Sequence, residues 1–340
     1  MISTRELAEL AGVSQSTISR CLNDHPSISF ETKERVRKLA LQYGYVDHQR
    51  GQKALLSGKR RTIGILITGR PFFDDLFINY TLNLLMAKAA EKNYYTIPLP
   101  LSTHEEGGLE KLRDLIRLNI VDSFIILHRQ FDLELHQYLK DIGIPHIYLL
   151  HCSRNSYQAV DIVDSDNYAG GYLAAQHLIS HGHRHLITVT CPWREFEDRT
   201  NGFRQALSEN GISCQEDFVL TVDAGYDSAY QSVQANMELF SQATAVYVQS
   251  DILTLAVANA LLDAGMQIPK DISIIGSDGY ALGAISRPQF DSIAHPISEL
   301  VELAISRLIE IAEKKNQTPR QIILRPYIIE RGSVQRRNIK

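Results

Sequence analysis

Polar side chains between residues 14 and 20 could form paired hydrogen bonds with planar groups such as nucleic-acid bases. Gln15 can pair with adenine and Arg20 with guanine through two hydrogen bonds each, and Ser16 can donate to or accept from either. Nearby hydroxyl and amide groups suit phosphate oxygens, which fix register without reading sequence. The phosphate candidates are Ser14, Thr17, Asn23, Ser29 and Thr32, and Thr4 is a further candidate contact with DNA.

Three short helices are predicted to carry these side chains. Ser3-Thr4-Arg5-Glu6 is a capping box that begins the first helix, and Gly12 allows a tight turn after it. Ser14 can cap the second helix and Ser29 the third. Two short helices joined by a glycine turn and closed by a third are typical of a helix-turn-helix, whose second helix enters the major groove. A plain three-helix bundle with polar, solvent-facing side chains is the alternative.

The charge of the chain is divided unevenly along its length. Residues 1–61 hold 11 Lys+Arg and 6 Asp+Glu, and the remaining residues hold 24 and 33. A basic head on an acidic body indicates that the head meets a polyanion. Chance clustering of surface lysines is the alternative interpretation.

The composition argues against several classes of protein. No apolar run approaches the roughly 18 residues of a membrane helix, and the N-terminus has no basic stretch followed by an apolar core. Four widely spaced cysteines without a CxxC pair fit a reducing cytoplasm. His181, His183 and His185 lack an accompanying Cys or carboxylate cluster, so neither a metal nor a cofactor is expected. We therefore expect a cytoplasmic protein without a membrane partner.

The body after residue 61 alternates short apolar runs with amphipathic helices, which predicts an α/β fold with parallel sheets. Nine apolar runs are too many for one small sheet, so two similar halves are expected. Ligands of such folds bind at the carboxyl ends of strands, here in the cleft between the halves. No GxSxG, Walker, GxGxxG or kinase pattern is present, so an enzyme is not expected.

Several strings along the chain together resemble the lactose/galactose-repressor family of bacterial transcription regulators. The most specific is AELAGVSQSTISRCLN at residues 8–23. The body continues the resemblance, in order and over nearly the whole chain, with Ile63-Gly64-Ile65-Leu66, Pro71-Phe72-Phe73, residues 163–171, Gly182-His183, Arg199-Thr200-Asn201-Gly202-Phe203 and residues 269–278.

The resemblance implies a helix-turn-helix domain, a hinge and a body like that of periplasmic binding proteins. In this family a hinge leucine wedges into the minor groove at the centre of the operator. Counting from the body selects Leu55, and an apparent one-residue insertion leaves Leu56 as a competitor. The expected segments are 1–46 for the DNA-binding domain, 47–61 for the hinge, 62–161 with 294–324 for the N-subdomain, and 162–293 with 325–340 for the C-subdomain.

The resemblance also implies an effector site in the cleft. Asp278 and Arg199 match the ligand-binding aspartate and arginine of the family, whose ligands are often sugars. Ser250 takes the place of a ligand-contacting Asn, which leaves the identity of the ligand open. Phe72, Phe73 and Tyr226 could supply apolar walls. Taken alone, Asp278 could equally be a helix cap and Arg199 a partner in a surface ion pair.

These expectations combine into a transcription regulator of carbohydrate-related genes that is expected to act as a repressor. A homodimer is expected to bind a pseudo-palindromic operator, and a sugar or sugar derivative in the cleft is expected to change the angle between the halves and thereby the operator affinity. A cytoplasmic α/β enzyme acting on sugars or nucleotides, and a solute-binding receptor, are the alternatives.

Overall fold

The computed structural model describes eleven stretches of the chain: residues 3–22, 25–43, 61–68, 76–100, 108–118, 120–128, 133–150, 160–213, 218–279, 281–313 and 318–337. The chain divides into two compact units, Met1–Arg60 and Arg61–Lys340. Five residues singled out from the sequence lie outside the described residues, as does nearly all of the expected hinge: Asn23, Leu55, Leu56, Phe72 and Phe73.

The first unit contains the three predicted helices, α1 (Thr4–Ala11), α2 (Gln15–Leu22) and α3 (Phe30–Gln42). The capping box is present, since the Glu6 amide donates to Ser3 Oγ while the Ser3 amide donates to Glu6 Oε2. Gly12 ends α1 in the left-handed region at φ 63°, which glycine adopts without steric penalty. Six side chains make the buried core: Leu7, Ala8, Ala11, Ile18, Cys21 and Val36.

The second unit contains two six-stranded sheets, and the strands of the first are parallel throughout. The strands are β1 (Thr62–Thr68), β2 (Tyr95–Pro100), β3 (Ser123–His128), β4 (His146–Leu149), β5 (Ile162–Ser165) and β11 (Gln321–Leu324), in the order β11-β5-β4-β3-β1-β2. Helices cover both faces: α4 (Leu76–Glu91), α5 (Gly108–Arg117), α6 (Leu133–Asp141) and α13 (Ile297–Ala312).

The alternation of side chains along β1 explains why helices lie on both faces of the first sheet. Ile63, Ile65 and Ile67 pack into the same cluster as side chains of α4 and α13. Leu66 points to the other face and joins a cluster with side chains of α5 and α6. Successive residues of a strand face opposite sides, so an apolar run of this kind indicates a sheet buried on both faces.

The second sheet has the same construction with one antiparallel strand at its edge. Its strands are β6 (Leu186–Thr190), β7 (Val219–Thr221), β8 (Ala245–Val248), β9 (Ser273–Asp278), β10 (Asp291–Ala294) and β12 (Tyr327–Ile329), in the order β12-β10-β9-β8-β6-β7, with β12 antiparallel to β10. Its helices are α7 (Asn167–Ser180), α8 (Arg194–Glu209), α9 (Tyr226–Ala235), α10 (Met237–Gln242), α11 (Asp251–Asp263) and α12 (Ala281–Ile285). The predicted α/β class with a helical N-terminal unit is confirmed.

The described chain passes between the two sheets at residues 165–167, 294–297 and 324–327, which we call the first, second and third crossover. The first lies later than the boundary expected after residue 161, because Ile162 and Val163 pair with both β4 and β11 inside the first sheet. The second lies slightly later than expected, because Ala294 still pairs with Asp278 in the second sheet. The third follows Leu324, the last residue of β11.

Helices α7 and α8 approach each other closely because glycine occupies the contact on each side. A Cβ atom added at Gly171 would fall on the carbonyl oxygen of Arg199, and one added at Gly202 would fall on that of Tyr168. Gly171 therefore serves the packing of these two helices. Because the contact involves the backbone of Arg199, it also fixes the position of the Arg199 Cα atom, from which the side chain extends.

Gly171→Ala is expected to lower the free energy of unfolding by about 1–3 kcal/mol, since an inserted methyl group forces the two helix backbones apart. Gly170→Ala is the matched control, because its added Cβ would meet Ile293 and Pro326 at 3.5 Å, an ordinary contact distance. Urea unfolding followed by circular dichroism measures both. Equal effects of the two substitutions would contradict the backbone contact.

Candidate nucleic-acid interface and ligand site

The second helix of the head presents the predicted base-reading side chains to solvent. Gln15, Ser16 and Arg20 are exposed on α2, whereas Ile18 and Cys21 on the same helix are buried in the core. The helix is amphipathic: Ile18 and Cys21 are apolar and lie on the face that is buried, so the opposite, polar face remains in contact with solvent. The amide of Gln15 and the guanidinium of Arg20 are therefore available to a partner.

The hydroxyl candidates on the head also stabilise helix starts. Ser14 Oγ accepts from the Thr17 amide at 3.1 Å, and Ser29 Oγ accepts from the Thr32 amide at 3.3 Å. Ser14 and Ser29 are exposed, while Thr17, Thr32 and Thr4 are half-buried. The start of a helix carries unpaired N–H groups and a partial positive charge, so it suits a phosphate oxygen. A serine can cap a helix and also contact a phosphate. The contact with phosphate stays a prediction.

In the body, the structure brings together the predicted pair Arg199 and Asp278. Arg199 lies on α8, which follows β6, and Asp278 is the last residue of β9. Arg199 Nη1 lies 3.7 Å from Asp278 Oδ1, and the two side chains are 7% and 11% exposed. Asp278 Oδ2 also accepts from the Asp251 amide at 3.1 Å, at the start of α11. Asp278 thus contacts the start of α11 as well as Arg199, although the residue that caps this helix is Ser250.

The guanidinium of Arg199 has three further partners, none of them singled out from the sequence. Nε donates to Asn167 Oδ1 at 2.9 Å, Nη1 donates to the Gln249 carbonyl, and Nη2 lies 3.2 Å from His295 Nε2. The planar guanidinium carries donors on every side, so a buried arginine needs such a ring of acceptors. One signal could have found these partners, because each lies just after the carboxyl end of a strand.

The hydrogen bonds fix the protonation state of His295. A guanidinium only donates, so His295 Nε2 accepts, and the ring proton sits on Nδ1. Nδ1 then donates to Ser165 Oγ at 2.7 Å. Burial lowers the pKa of His295 well below its ordinary value, and the positive charge of Arg199 acts in the same direction. The imidazole is therefore neutral.

A second set of hydrogen bonds holds Gln249, whose carbonyl accepts from Arg199. The side chain is fully buried. Its Oε1 accepts from Thr190 Oγ1 at 3.0 Å, and its Nε2 donates to Thr188 Oγ1 and Thr200 Oγ1 at 3.1 and 2.9 Å. Since β6 and α8 supply these hydroxyls, the end of β8 is locked against the elements that carry Arg199.

The remaining two predicted site residues lie at different distances from this pair. Ser250 caps α11 by accepting from the Leu253 amide, and it is adjacent to Asp251, whose amide contacts Asp278. Tyr226 Oη accepts from Asn259, eight residues further along α11 than Asp251. Eight residues of helix span about 12 Å. Tyr226 as a wall of the site stays a prediction.

The described residues contain no group of three or more His, Cys, Asp and Glu side chains arranged to hold a metal ion. His181 Nδ1 lies 2.8 Å from the His177 carbonyl, and His183 contacts Thr244 and the Gln335 carbonyl. None of the helices in the described part of the chain is long and apolar enough to cross a membrane.

Two family models match the chain. Residues 3–47 match the bacterial regulatory proteins, lacI family, and residues 175–334 match a periplasmic binding protein-like domain. The first match covers α1, α2 and α3, and the second covers all of the second sheet. The predicted two-part organisation is confirmed.

Three similar proteins extend the comparison, two of them over 98% of this chain and one over 82%. The HTH-type transcriptional repressor PurR of Aliivibrio salmonicida (strain LFI1238) is 28% identical over 98% of this chain and 99% of its own. A LacI family transcriptional regulator from Enterococcus faecium, solved with bound ribose, is 28% identical with a TM-score of 0.70 over 82% of this chain and 100% of its own. The Lac repressor dimer, solved on its operator with the anti-inducer ONPF, shares the fold with a TM-score of 0.80 at 18% identity. The match covers 98% of this chain and 99% of the Lac repressor chain.

Arg199→Met is expected to lower the free energy of unfolding by about 3–5 kcal/mol, because it removes the positive charge beside Asp278 and the donors that Asn167 and Gln249 accept from. The matched control is Arg194→Met, which removes an exposed arginine from the same helix. Chemical denaturation of the full chain measures both. A loss for Arg199→Met no larger than that of the control would show that the buried contacts add nothing.

Proposed function

We propose that the chain is a regulator of the lacI family of bacterial regulatory proteins, whose family model its head matches, and that it represses carbohydrate-related genes by binding a pseudo-palindromic operator as a homodimer. A small neutral molecule, a sugar or sugar derivative, binds at the Arg199–Asp278 pair and changes the operator affinity. The protein acts in the cytoplasm and releases its ligand chemically unchanged.

The head supports the DNA-binding half of this proposal. Gln15, Ser16 and Arg20 are exposed on one helix, directly after the turn at Gly12. Ser14 and Ser29 lie exposed at the starts of α2 and α3, where they suit phosphate. The positive charge of residues 1–61 adds attraction that depends on salt concentration. Leu55, or Leu56, supplies the wedge in the minor groove.

One observation carries the ligand-binding half: the buried guanidinium and carboxylate of Arg199 and Asp278 face each other at 3.7 Å where strands of the second sheet end. Together they offer donors and acceptors without net charge, which suits the hydroxyl groups of a neutral sugar. The Enterococcus faecium regulator with bound ribose, at 28% identity, supports a sugar as the ligand class.

Exposed apolar side chains on the first sheet's side of the body support the homodimer. Leu76, Tyr80 and Met86 are exposed on α4, and Tyr95 is exposed at the start of the edge strand β2. Soluble proteins use such surfaces for contacts with other chains. Sedimentation equilibrium measures the state, and a mass equal to one chain would exclude the dimer.

Arg20→Ala is expected to weaken binding to a DNA fragment, selected by the wild-type chain from a random library, by about 10- to 100-fold and to relax the preference at one position. The substitution removes a bidentate contact with a base, whereas Arg184→Ala removes one exposed positive charge from the body and is the control. Gel shifts at fixed salt measure both. If the wild-type chain selects no sequence, the DNA-binding proposal fails.

A neutral sugar that binds should raise the melting temperature of the full chain in proportion to the logarithm of its concentration. A thermal-shift screen of ribose, galactose and cellobiose, repeated with Asp278→Asn, tests the site. The substitution keeps an acceptor for the Asp251 amide but removes the charge opposite Arg199, so the shift should shrink.

Any sugar that binds must also change operator affinity, and operator DNA must change sugar affinity by the same factor. Gel shifts with and without the sugar measure this factor. Binding of a sugar that leaves operator affinity unchanged would overturn the regulatory half of the proposal while leaving the ligand site in place.

A further inference from the structure

His295 lies in the second crossover and contacts groups from three other parts of the body. Its Nδ1 donates to Ser165 of the first crossover, and its Nε2 accepts from Arg199 on α8. The ring of Phe77 on α4 meets it edge-on with centroids 6.0 Å apart. The side chain is buried, so these neighbours define its surroundings.

The guanidinium of Arg199 is tied to both of these crossovers. Asn167 in the first crossover accepts from Nε at 2.9 Å, and His295 in the second accepts from Nη2 at 3.2 Å. Ser165, also in the first crossover, contacts His295 at 2.7 Å, so the two crossovers are hydrogen-bonded to each other as well as to Arg199. We call each sheet with its helices a lobe of the body. A displacement of Arg199 therefore acts directly on two of the three segments that join the lobes.

The charged groups around His295 favour a neutral ring over a protonated one. Arg199 on α8 faces Nε2 with a positive charge, and Asp278 on β9 lies beyond it, 3.7 Å from Arg199 Nη1. Ser165 on β5 and Phe77 on α4 carry no charge. A proton on Nε2 would set a donor against a donor and bring two positive charges together.

We propose that His295 is a positioning residue for Arg199: as a neutral imidazole it holds the guanidinium against the second crossover, and its protonation releases that hold and makes the ligand site sensitive to acid. The inference deepens the proposed function, because it rests on Arg199 serving the ligand site.

The sign of the pH dependence follows from the pKa of His295, which burial and then Arg199 hold well below its ordinary value. In the unfolded chain the ring takes up a proton below pH 6.5 or so, while in the folded chain it stays neutral. The neutral His295 side chain therefore makes its full contribution to the free energy of unfolding above that pH, and this contribution is lost as the pH falls toward the pKa of His295 in the folded chain. The unfolding equilibrium constant should rise by up to about tenfold per pH unit in this window.

Spectroscopy of the full chain tests the assigned state directly. With ¹³C-labelled histidine, the His295 signal, assigned by its absence in His295→Gln, should report a ring that has its proton on Nδ1 and stays neutral as the pH is lowered from about 8 through the range where an ordinary histidine titrates. In Arg199→Met the donor to Nε2 and its positive charge are both lost, so the ring should no longer be confined to this tautomer. A buried histidine that only fills space would keep one tautomer in both chains, and that result would overturn the proposal.

Substitutions separate the hydrogen bonds from the titration. His295→Gln offers an amide oxygen to Arg199 and an amide N–H to Ser165 but does not titrate, whereas His295→Leu offers neither. Solvent exchange of the Arg199 Nη2–H protons should accelerate by about fivefold in His295→Leu and return to near the wild-type rate in His295→Gln. Unchanged exchange in His295→Leu would overturn the positioning role.

The pH profile of urea unfolding gives the second measurement. Relative to His295→Gln, the wild type should lose stability progressively as the pH falls from about 6.5 to 5, and His185→Gln, which replaces an exposed imidazole in the same lobe, should show the wild-type profile. A constant difference between the wild type and His295→Gln would overturn the proposal. None of these measurements uses DNA or sugar, so their failure is distinct from failure of the proposed function.

Discussion

The burial of one guanidinium, that of Arg199, is the constraint to which much of the body conforms. A buried positive charge is tolerated only where a counter-charge and hydrogen-bond acceptors surround it. Asp278 supplies the charge, and Asn167, Gln249 and His295 supply acceptors, so the partners come from β9, α7, the end of β8 and the second crossover. The two lobes are therefore joined by a polar network as well as by the chain itself.

Features outside the network place its members before any ligand arrives. The contact between Gly171 and the Arg199 backbone sets the depth of α8, and the hydroxyls around Gln249 fix the carbonyl that Arg199 reaches. Asp278 has a positive φ of 95°, which costs a side-chain-bearing residue about 1–3 kcal/mol. Its hydrogen bond from the Asp251 amide offsets part of this strain. Such strain persists where the surroundings over-determine one geometry, as a preorganised site requires.

Local patterns in the sequence were sufficient for the elements but not for the full site. Ser3, Gly12 and the apolar period of α2 predict the head because their effects extend over one helical turn. Arg199 and Asp278 could be named from the family resemblance. Gln249 and His295 also follow strand ends, but a position in the sequence does not show that these ends converge on Arg199. The first crossover was placed too early because an apolar pair such as Ile162-Val163 does not reveal which sheet it joins.

The network also limits how a ligand can act. The donors of Arg199 are shared among its protein partners, so a ligand hydroxyl that accepts from the guanidinium competes with the Gln249 carbonyl, Asn167 or His295. Competition with the last two changes the crossovers, whereas competition with Gln249 changes contacts within the second lobe alone. Two ligands of equal affinity can therefore differ in their effect on the lobes. A ligand shifts the population of one arrangement of the lobes over another only if it binds the two arrangements with different affinity. For a ligand that binds as proposed, the direction of control would thus depend on which donor of Arg199 it takes, and affinity alone would not determine it.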